Sequence, residues 1–316
     1  MADINNKAPA LVKRKTHYWQ RAWMLYVLLV LPIAFFVIFR YVPMVNIVMA
    51  FKDYNIFFGV WNSEYSPWVG FQWFQRAFES RDFWLAVKNT LVLNGLDLLL
   101  GFPAPIILAL ILNEVVFKRF KKVTQTIIYL PHFLSWIIVS SIVTKLLAPS
   151  TGVVNITLGN TFGIGPIDFL IDKFLWVMTY VFFGIWKEMG WGTIIYLAAI
   201  TGINPELYEA AEVDGAGRWR KLWHVTLPGI RSTIVVLLIL NIGRILGIEF
   251  DRPYTMANSL VRDVADVIST LVYRVGIRNY QYSYTAAIGL FQSVICVIFL
   301  VGANTLAKKF GERGIW

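Results

Sequence analysis

The sequence is poor in the residues that build most catalytic and metal sites. Its 316 residues include one cysteine, Cys296, and three histidines. A single cysteine excludes an intrachain disulfide, and His17, His132 and His224 lie far apart without an HExxH pattern, so we expect no metal site. The Walker A pattern GxxxxGK[ST] is also absent. We therefore predict that the chain binds no cofactor, does not hydrolyse ATP by itself and is not an enzyme.

Charged residues are scarce as well. Asp, Glu, Lys and Arg make up 15% of the chain, whereas hydrophobic residues make up 57% and aromatic residues 16%. The mean hydropathy is +0.60. Few water-soluble domains have this composition, so it indicates an integral membrane protein. The net charge of +10 would favour nucleic-acid binding on a soluble domain, but in a membrane protein the basic residues also set the topology.

Six apolar segments are long enough to cross a bilayer when flanking side chains snorkel. The predicted spans are residues 23–39, 91–112, 127–144, 174–203, 230 to about 250, and 284–306. Pro103 and Pro105 lie near the middle of the second span and are expected to bend it. We therefore predict an all-α integral membrane domain with six transmembrane helices, residues 23–307, between tails of residues 1–22 and 308–316.

The distribution of Lys and Arg orients these spans. Sixteen of these residues fall in the N-terminal tail, the loop after the second span, the loop after the fourth span and the C-terminal tail. Eight fall in the three other connections, and Arg252 is one of them. Because cytoplasmic segments retain positive charge, we predict a multi-pass protein of the bacterial cytoplasmic membrane with both termini cytoplasmic. The membrane topology then accounts for most of the basic residues, so we expect no nucleic-acid partner.

One polar stretch interrupts the apolar pattern. Residues 204–228 read NPELYEAAEVDGAGRWRKLWHVTLP. Asn204 suits an N-cap, the proline after it suits the first helical position, and the early glutamates match the helix dipole. Asp214 and Gly215 are expected to break this helix, and a second short helix is expected to follow and to end at Pro228. The stretch therefore predicts a helix-turn-helix in a water-facing loop, with small residues that allow another surface to approach closely.

The residues of this loop resemble a known motif. Glu209-Ala210-Ala211, Gly215 and then Val225-Thr226-Leu227-Pro228 are similar to the EAA loop of permease subunits of ATP-driven (ABC) importers, which usually has Ile at the position of Val225. In that family the loop is the coupling helix that docks on the ATPase subunit. The resemblance implies ATPase-coupling roles for Glu209, Ala210, Ala211, Asp214, Gly215 and Ala216. From charge and helicity alone, the alternative is an amphipathic helix on the membrane surface.

The resemblance extends from the first span to the C-terminus. The stretches SPWVGFQWFQRAF, DVISTLVYRVG and YSYTAAIGLFQSVI are similar to type I, binding-protein-dependent sugar-importer permeases of the polysaccharide-uptake (LplB-like) branch. Alginate import is one candidate function. The resemblance implies a second homologous permease subunit, two ATP-binding subunits that carry ATP and Mg, an extracytoplasmic solute-binding protein, an oligosaccharide substrate and surrounding membrane lipid. It also implies alternating access driven by the ATPase cycle.

Polar and aromatic residues inside two spans are candidates for a substrate path. They are Trp186, Lys187, Glu188 and Trp191 in the fourth span, and Asn241, Arg244 and Glu249 in the fifth. A charge at the bilayer centre costs about 2.5–3.5 kcal/mol, so the charged ones should face the bundle interior or a water-filled cavity. Neighbouring helical residues point about 100° apart, so Lys187 and Glu188 are not expected to face each other and each needs another partner.

Two interpretations of these residues remain open. One is a structural ion-pair network across the fourth and fifth spans, and the other is a polar path in which tryptophans contact sugar rings. Lys187 and Arg244 would favour a carboxylated sugar such as a uronate, unless the two glutamates neutralise them. Asp97 and His132 are further candidates for this path, although an Asp near a proline bend more often accepts from freed backbone donors.

Other functions remain as alternatives. A secondary transporter driven by an ion gradient often has two related halves, whereas this sequence has no evident repeat. A permease for a non-sugar solute is compatible with the same spans. A membrane enzyme is disfavoured by the missing nucleophile, base and metal sets, and a scaffold protein by the charges within the spans.

Overall fold

The computed structural model describes residues 17–247, 249–312 and 314–316, with side chains from Ala22 onward. Most of the predicted basic N-terminal tail, together with Arg313, lies outside the described residues. In the described part of the chain, helices account for nearly all regular structure, and the one β-bridge joins Lys52 and Trp68. The prediction of an all-α chain is confirmed.

The described residues in the first half of the chain form eight α-helices, of which several join end to end. They are α1 His17–Phe36, α2 Val42–Met44, α3 Gln72–Glu79, α4 Arg81–Leu96, α5 Pro103–Glu114, α6 Lys118–Tyr129, α7 Trp136–Leu146 and α8 Val153–Phe162. A π-helical turn, Asp97–Gly101, joins α4 to α5, so that Arg81–Glu114 is one helix of 34 residues. Pro103 follows this π-helical turn, which accommodates the hydrogen bond that its missing N–H cannot make.

Eight further α-helices lie in the described part of the second half. They are α9 Lys173–Thr201, α10 Pro205–Val213, α11 Arg218–Lys221, α12 Leu227–Ile242, α13 Asp251–Met256, α14 Arg262–Ala265, α15 Ile268–Val272 and α16 Tyr282–Lys309. A π-helical turn, Leu222–Thr226, joins α11 to α12. The prediction that a helix ends at Pro228 is therefore wrong. This proline lies in the first turn of α12, and the π-turn before it accommodates the lost hydrogen bond.

Within the described residues, four helices are long and apolar enough to cross a membrane. They are Ala22–Phe51, Arg81–Glu114, Arg218–Ile242 and Tyr282–Lys309. A fifth crossing is possible if the pair Lys118–Phe133 and Trp136–Leu146, which is bent by 102°, counts as one span. At 29 residues α9 has sufficient length, but Lys187 and Glu188 interrupt its apolar sequence and it is not among the four. The count of six spans stays a prediction.

Two predicted spans differ in the structure. The third predicted span, 127–144, is not one continuous helix, because a 3₁₀ turn containing Pro131 ends one helix and Ser135 caps the next, accepting from Ile138 N. The fifth span ends at Ile242 and not near residue 250. Beyond it, the Asn94 side chain donates to Ile245 O at 2.5 Å and Gln292 to Leu246 O at 2.8 Å. These side chains replace helical hydrogen bonds, so the backbone leaves the helix there.

Helix α9 lies at the centre of the bundle and packs along α5. One hydrophobic cluster surrounds Trp176 and Tyr180 near its N-terminus, and another surrounds Tyr196 and Ile200 near its C-terminus. The helix is about 43 Å long at 1.5 Å per residue. The loop with α13 and α14 lies at its N-terminal end, where Trp176 Nε1 donates to Met256 O, and α10 follows its C-terminal end. These two segments are therefore at opposite ends of the bundle.

Candidate functional site

A cavity of about 590 Å³ lies beside the middle of α9, between the two hydrophobic clusters. Its walls come from α4, α5, α9, the end of α12 and the segment that follows α12. Five of the seven predicted path residues line it: Glu188, Trp191, Asn241, Arg244 and Glu249. Arg244 and Glu249 reach it from beyond the end of α12, not from within a helix. The other two, Trp186 and Lys187, do not line the cavity, and Trp186 packs on the cluster around Trp176.

Lys187 is buried behind the cavity wall, with 6% of its surface exposed. Its Nζ donates to Glu188 Oε1 at 2.8 Å and to His132 O at 3.1 Å. The expectation that these two neighbours cannot face each other is wrong, because both long side chains turn toward the bend before α7. Glu188 Oε2 also lies 2.8 Å from His132 Nδ1. The ion-pair network thus joins α9 to this bend, and not to the fifth span as one interpretation expected.

The His132 ring fixes the orientation of Trp191. The two rings are stacked, with centroids 4.6 Å apart and planes 5° apart. Trp191 is 46% exposed and lines the cavity. One aromatic face is therefore held by histidine, while the indole borders the cavity, where it can contact an apolar ring face.

Arg252, which the sequence places in a connection on the outer side, reaches from that connection into the cavity wall. Its guanidinium makes a two-pronged pair with Asp97, at 2.6 and 3.2 Å, and donates to Tyr180 O at 2.6 Å. It also lies 3.7 Å from the centroid of the Tyr180 ring. Gly184 makes room for it, since a Cβ there would come within 2.0 Å of Arg252 Nη2. Such bidentate, stacked geometry is specific to arginine.

The partner of Asp97 settles one of the open alternatives. The side chain does not cap the proline bend but pairs with Arg252, and it lines the cavity. An aspartate in an apolar span signals that a cation must lie nearby. Sequence spacing does not show which cation, because the two residues are 155 positions apart.

The charges around the cavity balance formally. Three cations, Lys187, Arg244 and Arg252, accompany three carboxylates, Asp97, Glu188 and Glu249. In the described part of the chain, Arg244 and Glu249 are exposed and make no ion pair. Also within that part, no three His, Cys, Asp or Glu side chains are grouped to hold a metal ion. The exposed charge that a bound anion can reach is therefore Arg244.

The loop after α9 forms the predicted hairpin. Asn204 Oδ1 accepts from Glu206 N at 3.1 Å, which confirms the N-cap. Gly215 has a φ of +75°, which confirms the break after α10. Asp214 does not cap the next helix, because the N-cap of α11 is Gly217 and no side chain bonds there. The hairpin, residues 204–217, is therefore built from local signals.

The hairpin makes few contacts with the rest of the bundle. Lys221 Nζ donates to Glu212 Oε1 at 2.5 Å, and this hydrogen bond lowers the pKa of the Glu212 carboxyl below its ordinary value. Tyr208 Oη lies 3.0 Å from Thr226 Oγ1 and fixes the base of the hairpin. Of the six predicted coupling residues, Ala211 and Ala216 are half-buried and the others are exposed. Val213 at its tip is 88% exposed, so the hairpin presents apolar surface to a partner.

Comparisons with known proteins agree on one family. Residues 101–311 match the family described as binding-protein-dependent transport system inner membrane component. Protein LplB of Bacillus subtilis (strain 168) is 48% identical over 314 residues, which cover 98% of this chain and 97% of LplB. The polygalacturonan/rhamnogalacturonan transport system permease protein YteP of the same organism is 49% identical over 292 residues, 92% of this chain and 90% of YteP.

A solved structure gives the same result. The crystal structure of a bacterial alginate ABC transporter in complex with an alginate pentasaccharide-bound periplasmic protein contains a chain with a TM-score of 0.84 to this one. The two are 41% identical, and the match covers 95% of this chain and all of the other. The similarity therefore extends over almost the whole fold.

Proposed function

The chain belongs to the family of binding-protein-dependent transport system inner membrane components, and from this premise we propose that it is the permease subunit of an ATP-driven oligosaccharide importer. The observation that carries the proposal is the polar cavity of about 590 Å³ in the middle of an apolar helical bundle. Sugars present hydroxyls and apolar ring faces, and the cavity offers ionisable side chains beside Trp191.

The substrate in this proposal is a uronate-containing oligosaccharide. YteP is named for polygalacturonan and rhamnogalacturonan transport, and a second matching structure is described as importing the acidic polysaccharide alginate. In this chain, Arg244 is exposed at the cavity without an ion pair among the described residues. A carboxylate near this guanidinium would form a charge-assisted hydrogen bond. Lys187 does not serve this role, because it is buried and bonded to Glu188.

The proposed assembly contains this chain, a related second permease and two ATP-binding subunits, with a solute-binding protein outside. ATP and Mg bind the ATP-binding subunits, and this chain carries no cofactor. Residues 23–307 form the permease domain, and both tails and the hairpin at residues 204–217 face the cytoplasm. The hairpin docks on an ATP-binding subunit through its residues from Glu209 to Ala216 and moves with that subunit. Docking transmits the ATPase cycle only through a difference in affinity between two states of the permease.

Uptake by the complete importer in proteoliposomes tests this proposal. We expect trigalacturonate uptake to require ATP and the binding protein and to be inhibited by vanadate. Arg244→Gln should lower trigalacturonate uptake more than uptake of a neutral trisaccharide, because it removes the exposed cation that the described residues place at the cavity. The matched control is Arg81→Gln, an exposed arginine that lines neither this cavity nor any pocket near it. Uptake that persists without the ATP-binding subunits, or equal loss for both sugars, would contradict the proposal.

A further inference from the structure

A second, smaller pocket lies at the end of α9 opposite the hairpin. It has a volume of about 330 Å³ and is formed by the segment from α13 to the π-turn after α15. The side chains that matter here are Tyr254, Arg262, Tyr273, Arg274 and Arg278. We propose that this pocket binds the carboxylate-bearing sugar unit of the substrate before it reaches the central cavity. The proposal rests on the proposed import of a uronate oligosaccharide and on the outward orientation of this end.

The pocket carries an excess of positive charge. Its lining contains three arginines and one carboxylate, Asp266. Arg274 Nη1 pairs with Asp266 at 2.7 Å, and Arg262 lies 3.8 Å from the same carboxylate. Arg278 makes no ion pair with any described acidic residue and donates to Tyr254 Oη at 3.2 Å. One guanidinium therefore stands beside the opening without a counter-charge, which favours an anionic ligand.

A pocket-lining arginine also has one buried donor without an acceptor. Arg274 Nη2 is buried and has no hydrogen-bond acceptor among the described residues. The Asp82 carboxylate is 3.6 Å away from it, too far for a good hydrogen bond. Buried donors are normally satisfied by protein, water or ligand, so Arg274 keeps unused hydrogen-bonding capacity beside the pocket.

Aromatic rings complete the arrangement that a sugar acid requires. Tyr254 stacks on Phe250 with centroids 4.6 Å apart and meets Tyr273 edge to face at 5.3 Å. Arg278 lies 5.5 Å from the centroid of Tyr273. A pyranose unit can place its apolar face on such rings while its carboxylate reaches the arginines. A simple inorganic anion would not use the rings, so their presence favours a carboxylated sugar.

Helix α13 forms the wall between this pocket and the central cavity. Arg252 lines the cavity and Tyr254 lines the pocket. Residues two positions apart on a helix point about 200° apart, so the two side chains emerge from opposite faces. The pair between Asp97 and Arg252 holds this wall in place. A sugar in the outer pocket is thus separated from the cavity by one short helix.

Uptake kinetics of the complete importer with its binding protein test the outer site. We expect Arg278→Gln to raise the apparent KM for trigalacturonate about five- to tenfold with little change in maximal rate, since one exposed charge-assisted contact is lost. Arg278→Lys should restore most of the affinity, and Arg81→Gln should change nothing. In a second readout, Tyr254→Cys in a Cys296→Ser background should react with a maleimide, and trigalacturonate should protect it.

The outcomes separate this proposal from the broader one. If the wild-type importer does not take up trigalacturonate, the proposed substrate class fails and this site fails with it. If uptake is normal but Arg278→Gln is silent and position 254 is unprotected, only the outer site is wrong. Equal loss for acidic and neutral sugars would instead identify a docking surface for the binding protein. A defect that disappears without anionic lipid would identify a lipid headgroup site, and either result overturns the proposal.

Discussion

The hairpin and the central cavity handle charge in opposite ways. At the hairpin, Glu212 pairs with Lys221 of α11, nine positions away, and the Glu212 side chain is largely exposed. In the cavity wall, Asp97 and Arg252 are 155 positions apart and His132 and Glu188 are 56 apart. The hairpin is thus held by contacts between residues close in sequence, and it leaves free surface for a partner. The cavity wall holds distant parts of the chain together.

This difference predicts where substitutions act. Changes in the cavity wall should alter the stability of the bundle along with transport. Changes in the hairpin should leave the bundle folded and alter the coupling of transport to ATP hydrolysis. Three substitutions and one pH dependence test this division, and the largest effect is expected in the cavity wall.

Arg252→Gln should have the largest effect on stability. It leaves the Asp97 carboxylate in the bundle without a cation, and breaking a buried pair in this way costs about 3 kcal/mol. Thermal unfolding of the purified protein in detergent measures the loss. The double variant Asp97→Asn with Arg252→Gln should recover part of it, since the unpaired charge is removed. A single variant as stable as wild type would show that the pair does not hold the wall.

Lys187→Ala should destabilise the bundle by about 2 kcal/mol, because its charged hydrogen bonds to Glu188 and His132 are lost. Uptake of acidic and neutral sugars should fall by the same factor, since Lys187 does not line the cavity. The relevant measurement is uptake of both sugars beside thermal unfolding, with Arg244→Gln as the comparison. A selective loss of acidic-sugar uptake in the Lys187 variant would show that this residue belongs to the substrate path.

Gly215→Ala should destabilise the hairpin by about 1 kcal/mol, because alanine is strained at a φ of +75°. The bundle should keep its unfolding temperature almost unchanged, while the number of sugars imported per ATP hydrolysed should fall. Gly289→Ala in α16 is the matched control, since a Cβ there meets nothing within 4 Å. If Gly215→Ala unfolds the bundle, the stability of the hairpin is not independent of the bundle.

The pH dependence of the hairpin should be the smallest effect. Lys221 lowers the pKa of Glu212 in the folded hairpin, so the pair stabilises it fully above the ordinary pKa of a glutamate. The contribution disappears as the pH falls through the lowered pKa. Hydrogen exchange of the α10 amides, compared with Glu212→Gln, measures this change. Protection that falls with pH equally in both proteins would contradict it.

The hairpin was predictable because its signals are local. Asn204 and Gly215 act within a few residues of themselves, and the structure confirms both roles. For the cavity, the only predictable feature was that ionisable residues in apolar segments line it. Arg252 was missed because α12 ends at Ile242, and that end depends on side chains of Asn94 and Gln292 from distant helices.

The bend before α7 had a local signal that the hydropathy pattern hides. Pro131 lies in the sequence LPHFLS, and Ser135 suits an N-cap. A proline followed closely by a capping serine indicates that one helix ends and another begins. The position of His132 beside Glu188 follows from this bend, so the network around Lys187 was partly accessible from sequence.

Site-specific cross-linking tests the central claim most directly. In the complete importer, Ala211→Cys in a Cys296→Ser background would carry a photoreactive benzophenone maleimide, with Ser259→Cys at the opposite end of the bundle as the control. We expect position 211 to cross-link to an ATP-binding subunit, with a yield that changes when ATP is added, and position 259 not to do so. No adduct from position 211, or an ATP-binding subunit captured at position 259, would contradict the account.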